Sequence, residues 1–335
     1  LDVRTSHRPC PRPQSPPMSR TIAVADIGGT HARFALATIG ATGEVSLAAE
    51  RVLRTPQHPD FASAWREFAQ GLDAAPPDAI AMAFAGPVEE ERGRLTNGRW
   101  TVDRASLNDL GFRATLILND FAAVAVAVSA LGPRWFEPLS GPSAPRAAHE
   151  LTTVLGPGTG LGSALLVGGA EPRVIPAEAG HIGFAPVDAE EDRLLMQLRP
   201  QLGRVTVEHL ASGPGLARIY RALGGADGAI DDREIWELAL SGTDERASRA
   251  LARWCAILGG IAGDLALAQG ADAVVIAGGL GLRLRDHLPR SPFAPRFAAK
   301  PPFEQRMRAM PVRLLVHPQP GLYGAAVAFA RSKAT

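Results

Sequence analysis

The chain has 335 residues, 46% hydrophobic and 21% charged, the balance of a globular protein with room for two domains or one large one. A formal net charge of +1 supplies no field to gather nucleic acid or acidic lipid. Two cysteines, Cys10 and Cys255, support neither a disulfide framework nor a cysteine zinc cluster, and they imply a reducing, cytoplasmic setting.

The first stretch, "LDVRTSHRPCPRPQSPPMSR", mixes charge and proline without an apolar centre. It is not a secretory signal and cannot bury enough surface to order itself, so residues 1–19 read as a disordered leader. "TIAVAD" (21–26) predicts a buried strand, "IGGT" a turn and "ARFALA" (32–37) a returning strand. "FASAWREFAQGL" (61–72) has helical spacing. "AIAMAFAGPV" (79–88) is a second apolar strand, "TLIL" (115–118) a third, and "FAAVAVAVSAL" (121–131) a buried helix. This alternation argues for an α/β fold with a largely parallel sheet. "LGPRWFEPLSGPSAPRAAHE" (131–150), rich in proline and glycine, predicts a connecting stretch.

The pattern then resumes. "LTTVL" (151–155) is a strand, "GPGTG" a turn and "LGSALLV" (161–167) a returning strand. Helical spacing marks 188–198, 215–223, 232–240 and 245–269. "DAVVIAGGLG" (272–281) is a strand running into a glycine turn, "VRLLVH" (312–317) the last strand and "GLYGAAVAFARS" (321–332) the last helix. No apolar run approaches the roughly eighteen residues of a membrane span. The strand–glycine turn–strand unit occurs twice, around Gly28-Gly29-Thr30 and Gly158-Thr159-Gly160, 130 residues apart (158 − 28). That predicts a duplicated α/β architecture with a cleft between the halves.

Glycine lets a backbone N–H approach a phosphate, and Asp26, ahead of the first turn, can hold a hydrated magnesium ion. The ordinary reading of "DIGGT" is a hairpin turn. "LGPGTGLGS" (155–163) is a second such turn; it fails the dinucleotide fingerprint in every frame and leads into a strand. The only lysines, Lys300 and Lys333, lie where neither a P-loop nor a protein kinase has its lysine. "PAEAGHIGF" (176–184) sets Glu178 and His181 among small residues that leave space for a ligand, although a lone histidine is more often structural. In "VEHLASGPG" (207–215) Glu208 precedes a glycine turn, as a ligand group or as a helix-end carboxylate. "VVIAGGLG" (274–281) puts Gly278 and Gly279 at a strand–helix corner suited to a nucleotide or simply to close packing. In "LILNDF" (116–121) Asp120 ends an apolar strand, where a carboxylate is costly unless paired or useful.

Two phosphate-type turns, a third glycine corner and strand-end carboxylates, without a lysine loop, resemble the sugar kinases of the actin-like, hexokinase-type ATPase superfamily. Within it the match is to the bacterial glucokinases, through "DIGGTHARFALA", "TNGRW", "LNDF", "GPGTGLG", "PAEAGHIGFAP", "EHLASGPGL", "IAGG" and "VHPQPGLYGAA", in family order. The resemblance implies a two-domain actin-like ATPase (ribonuclease H-like) α/β fold. A small domain, 20–130 plus 318–335, would face a large one, 131–317, across a cleft. It implies ATP-dependent phosphorylation of glucose, with Asp120 as general base for the 6-hydroxyl and Asn119 orienting the sugar. Glu178, His181 and Glu208 would bind hydroxyls. Asp26 would hold Mg2+ through water, with ATP. Gly28, Gly29, Thr30, Gly158, Thr159 and Gly160 would line the phosphates, and Gly278 and Gly279 the nucleoside.

It implies further a homodimer with no nucleic-acid or membrane partner, since too few residues precede the first strand for a helix-turn-helix. No zinc is expected, because no cysteine lies just after the sugar-loop histidine, where the repressor-like relatives carry a cysteine-rich site. Ala177 and Ala179 stand where glycine is expected and can narrow the sugar pocket; Pro157 and His31 also depart from the pattern. A kinase for another hexose or an amino sugar is the near alternative. A non-catalytic sugar sensor would keep the fold but has no need of Asp120.

Overall fold

The computed structural model describes residues 19–89, 92–96, 98–143, 147, 149–225 and 230–332; the expected leader lies, but for its last residue, outside them. Strand β1 (Arg20–Ile27) has both faces covered, and residues 22–25 are fully buried. The turn at 28–30 is too short for a crossover, so β2 (His31–Ile39) must return antiparallel, and β3 (Val45–Arg54) follows antiparallel on its outer edge. Helix α1 (Phe61–Gln70) starts at Asp60, whose side chain accepts from the Ser63 N–H. Its buried residues, Phe61, Ala64, Trp65 and Phe68, recur at helical spacing and join the core over this sheet.

Strand β4 (Ala79–Phe84) then lies parallel to β1. A small antiparallel sheet of β5 (Val88–Glu89), β6 (Arg92–Arg94) and β7 (Thr101–Asp103), with α2 (Arg104–Asp109), leads to β8 (Ala114–Asn119), parallel to β4. The first main sheet therefore has the order β3-β2-β1-β4-β8. Helix α3 (Asp120–Ala130) follows without a loop.

The second half repeats the plan. Strand β9 (Phe136–Ser140) comes first, and then β10 (Leu151–Pro157), β11 (Leu161–Val167) and β12 (Arg173–Ala177) run antiparallel in turn. After helices α4 (Ala189–Leu202), α5 (Gly213–Ala222), α6 (Asp232–Ser241) and α7 (Glu245–Gln269) comes β13 (Ala273–Ile276), parallel to β10. Short helices α8 (Gly278–Arg283), α9 (Phe293–Ala298) and α10 (Glu304–Arg308) precede β14 (Val312–Leu315), and α11 (Pro320–Arg331) is the last helix among the described residues. The order is β12-β11-β10-β13-β14-β9.

Each main sheet is thus mixed, antiparallel on its hairpin side and parallel where helices cross over, rather than largely parallel. The stretch 131–150 is not merely a connection: β9 lies within it and closes the edge of the second sheet against β14. Helix α7 is, by length and composition, apolar enough to cross a membrane, but 78% of its apolar window is buried inside the protein. There Trp254 and its neighbours form the core behind the second sheet.

Two helices lie between the main sheets, and each covers the sheet of the other half. Helix α3 follows the first sheet, yet Val124, Ala125 and Val128 pack on Val154, Ala164, Leu166 and Val275 of the second. Helix α11 follows the second sheet, yet Leu322, Ala325, Ala326 and Phe329 pack on Ile22, Val24, Ala35 and Ala81 of the first. They cross at Gly324, where a Cβ would overlap the carbonyl oxygen of Ala123.

Candidate active site

Asp26 is the next-to-last residue of β1 and Asp120 the first of α3, directly after β8. Two parallel strands with β4 between them carry both carboxylates to the same end of the sheet. Asp120 feels the negative charges of Asp26 and of Glu178, which follows β12 in the other half. Burial first, and then these two carboxylates, push its pKa from 3.8 to about 7, against the hydrogen bond that its Oδ1 accepts from Phe121 N–H at 2.9 Å. Burial likewise raises Asp26, opposed by the Arg33 guanidinium 3.6 Å away.

The first glycine turn is pinned by Thr55. Its hydroxyl donates to Gly28 O at 2.7 Å, its N–H donates to Thr30 O at 3.1 Å, and Gly28 N–H closes the hairpin on His31 O. The second turn is closed by Gly158 N–H on Gly160 O and held from outside by Gly213 N–H donating to Gly158 O at 2.7 Å. Gly213 is fixed in turn by Trp236, whose Nε1–H donates to its carbonyl, and the adjacent Ser212 carbonyl accepts from Trp254. Gly278, with φ +85°, lies against Pro157 O. Gly279 follows on the first turn of α8, with open space where a Cβ would stand.

Glu178 and His181 stand 3.9 Å apart on the loop after β12, their side chains 74% and 60% exposed. Glu208 lies behind that loop: its N–H donates to Gly180 O, and its carboxylate accepts from Leu161 N–H at 2.9 Å beside Gly160. Ser163 props the loop from below, accepting from Ala179 N–H and donating to Ala177 O.

The chain brings Asp26, Asp120 and Glu178 together and sets Glu208 between the second turn and the Glu178 loop. Asn119 is engaged differently. Its Oδ1 caps α3 by accepting from Phe121 and Ala122 N–H, and its Nδ2 donates to Gly86 O at 3.4 Å. Arg33 and Thr55 escaped the sequence reading. Arg33 was within reach of it, because pairing back from the 28–30 turn sets residue 33 opposite residue 26.

The glucokinase family model matches residues 23–332. The chain belongs to the glucokinase family. It is 46% identical to a glucokinase of Zymomonas mobilis over 92% of this chain and 97% of that protein, and 39% identical to one of Xanthomonas campestris over 92% and 94%. Among solved structures, a glucokinase from an Antarctic psychrotroph superposes with a TM-score of 0.79 at 33% identity, covering 93% of this chain and 99% of that one. A ROK family glucokinase of Streptomyces griseus, in complex with glucose and AMPPNP, shares the fold at a TM-score of 0.62 and 20% identity. The architecture is the actin-like ATPase fold of the glucokinases and their ROK relatives. Within this family frame, the two glycine turns and the carboxylates of both halves occupy one region of the chain's fold.

Proposed function

We propose that this enzyme transfers the γ-phosphoryl group of ATP to the 6-hydroxyl of glucose, with Asp120 as general base. The observation that carries the reading is the place of Asp120: first residue of α3, between Asp26 of one half and Glu178 of the other, its carboxyl poised near neutrality. A base in that range takes up a hydroxyl proton at neutral pH and can release it again. Phosphoryl transfer leaves the protein mainly alignment and charge neutralisation to supply. Glu178, His181 and Glu208 are assigned to the sugar hydroxyls, and Asn119 acts there through its Nδ2, its oxygen being committed to the helix cap.

The glycine turns at 28–30 and 158–160 are assigned to the phosphates, and Gly278-Gly279 to the nucleoside. Among the described residues no three His, Cys, Asp or Glu side chains could together hold a metal ion. A single half-buried carboxylate such as Asp26 fits magnesium that arrives with ATP and keeps its waters; bound so, the ion would neutralise phosphate charge. The small domain would be 20–130 plus 318–335 and the large one 131–317, a division supported by the packing of α11 on the first sheet. Family resemblance extends the reading to a cytoplasmic homodimer, which size-exclusion chromatography checks.

The deciding experiment is ADP release from ATP and magnesium across a panel of hexoses and amino sugars. Glucose is expected to give the highest kcat/KM. A mannose or amino-sugar preference would replace the substrate, and no sugar-dependent ADP release would replace the enzyme reading altogether.

A further inference from the structure

Phe121 follows the candidate base, and its ring reaches into the other half of the molecule. Gly156 on β10 and Gly162 on β11 are cross-strand partners, each two residues outside the Gly158–Thr159–Gly160 turn. A Cβ on either glycine would overlap the Phe121 ring, so the ring fills the space that two side chains would otherwise occupy at the foot of that turn. The backbone of the same residue holds the carboxylates' end of the site. Phe121 N–H donates to Asn119 Oδ1 at 3.0 Å and to Asp120 Oδ1 at 2.9 Å. One residue thus touches the strands that carry the second glycine turn through its ring and the Asp120 carboxylate through its amide.

We propose that Phe121 is a positioning residue: its ring, seated on Gly156 and Gly162, sets the carboxylate of Asp120 at a fixed distance from the 158–160 turn. The proposal rests on reading Asp120 as the base and that turn as the phosphate cradle. The two groups belong to different halves of the chain, so their spacing is not fixed by either sheet alone. A phosphoryl acceptor and donor held on separate bodies need such a contact, because a misplacement of about 1 Å costs on the order of 10²-fold in rate.

Simple packing is the competing explanation, since Phe121 continues the helical stripe of Val124, Ala125 and Val128. The two predict different outcomes. Under the proposal, Phe121→Ala lowers kcat by about 10- to 100-fold while the glucose KM stays within about threefold, because alignment is lost and not binding. Gly162→Ala displaces the ring from the opposite side and lowers kcat in the same way. Combining the two changes adds little to Phe121→Ala alone, since no ring remains to displace. Removing the ring also admits water beside Asp120, which Asp26 and Glu178 face from the other elements and Arg33 approaches only through Asp26. The acid limb of the kcat profile should then move to lower pH. A packing role would lower Tm but leave kcat, KM and the pH profile of the folded enzyme unchanged.

The measurement is a double-mutant cycle of kcat with glucose and Mg–ATP, with Phe121→Leu and Asp120→Asn in parallel. Turnover retained by Asp120→Asn would refute the base reading, whatever Phe121 does. Turnover lost in Asp120→Asn but kept in both Phe121→Ala and Gly162→Ala, or strictly additive losses in the cycle, would overturn the positioning role. Should Phe121→Ala not fold, Gly162→Ala and Phe121→Leu report the same kcat-against-KM split.

Discussion

The environment that fits Asp120 to the proposed role of base comes at a cost to stability. Its carboxyl is raised from 3.8 to about 7, so folding favours the protonated form. The group's favourable contribution is full below its unfolded value near 4 and is lost as pH rises through 7. Asp120→Asn should therefore unfold at higher temperature than the native chain at pH 8, by the equivalent of about 1–3 kcal/mol, and show no gain near pH 4. Calorimetric scans at the two pH values check this. The same variant should still bind glucose while kcat falls by roughly 10² or more, the lower range for loss of a general base. In the native enzyme, kcat should rise with pH through about 7 as the base loses its proton, and a flat profile from pH 5 to 9 would count against it. At Glu178 the 74% exposure leaves the carboxylate free to meet a ligand. Glu178→Gln should raise the glucose KM by about tenfold with the ATP KM unchanged, since a mismatched buried hydroxyl partner penalises binding. A change in the ATP KM alone would move Glu178 to the nucleotide side.

Helices α3 and α11 meet where a residue without a side chain permits it. Alanine favours a helix over glycine by about 1 kcal/mol, so Gly324→Ala would stabilise α11 in isolation. In the fold its Cβ would overlap a backbone carbonyl that cannot swing aside, and overpacking of this kind costs about 1–3 kcal/mol. The clash should win, and thermal unfolding of Gly324→Ala should fall below the native midpoint. Elements of this kind were unevenly legible in the sequence. The central strands and α7 announced themselves because both faces, or a long stripe, are buried. Edge strands did not. β3 is mostly exposed along "VSLAAERVLR", and β12 carries Pro176 with no fully buried residue, so neither shows an apolar run. Strand β9 was masked by the proline and glycine around it. The glycine turns and strand-end carboxylates were readable as local motifs. The seating of Phe121 on Gly156 and Gly162 was not, because nothing local in either segment names its partner.

Across the whole molecule, the chain passes from the first half to the second through 131–135 and returns through 316–319. The two passages touch: Val316 N–H donates to Trp135 O at 2.9 Å, and the rings of Trp135 and His317 lie 4.6 Å apart. A cavity of about 530 Å3 opens there, lined by Leu131, Trp135, His317 and Tyr323 among others. Truncation before Pro320 would strip the cover from Ile22, Val24, Ala35 and Ala81 while sparing the core of α5, α6 and α7. Limited proteolysis of the truncated chain should digest the first half and leave a protected fragment from the second; equal resistance of both would contradict this. Two like units, each laying its last helix on the other's sheet, have the arrangement of a domain-swapped pair. The seam between the halves therefore has the form of a subunit interface within one chain, with the charge of Glu178 in one unit acting on Asp120 of the other across it.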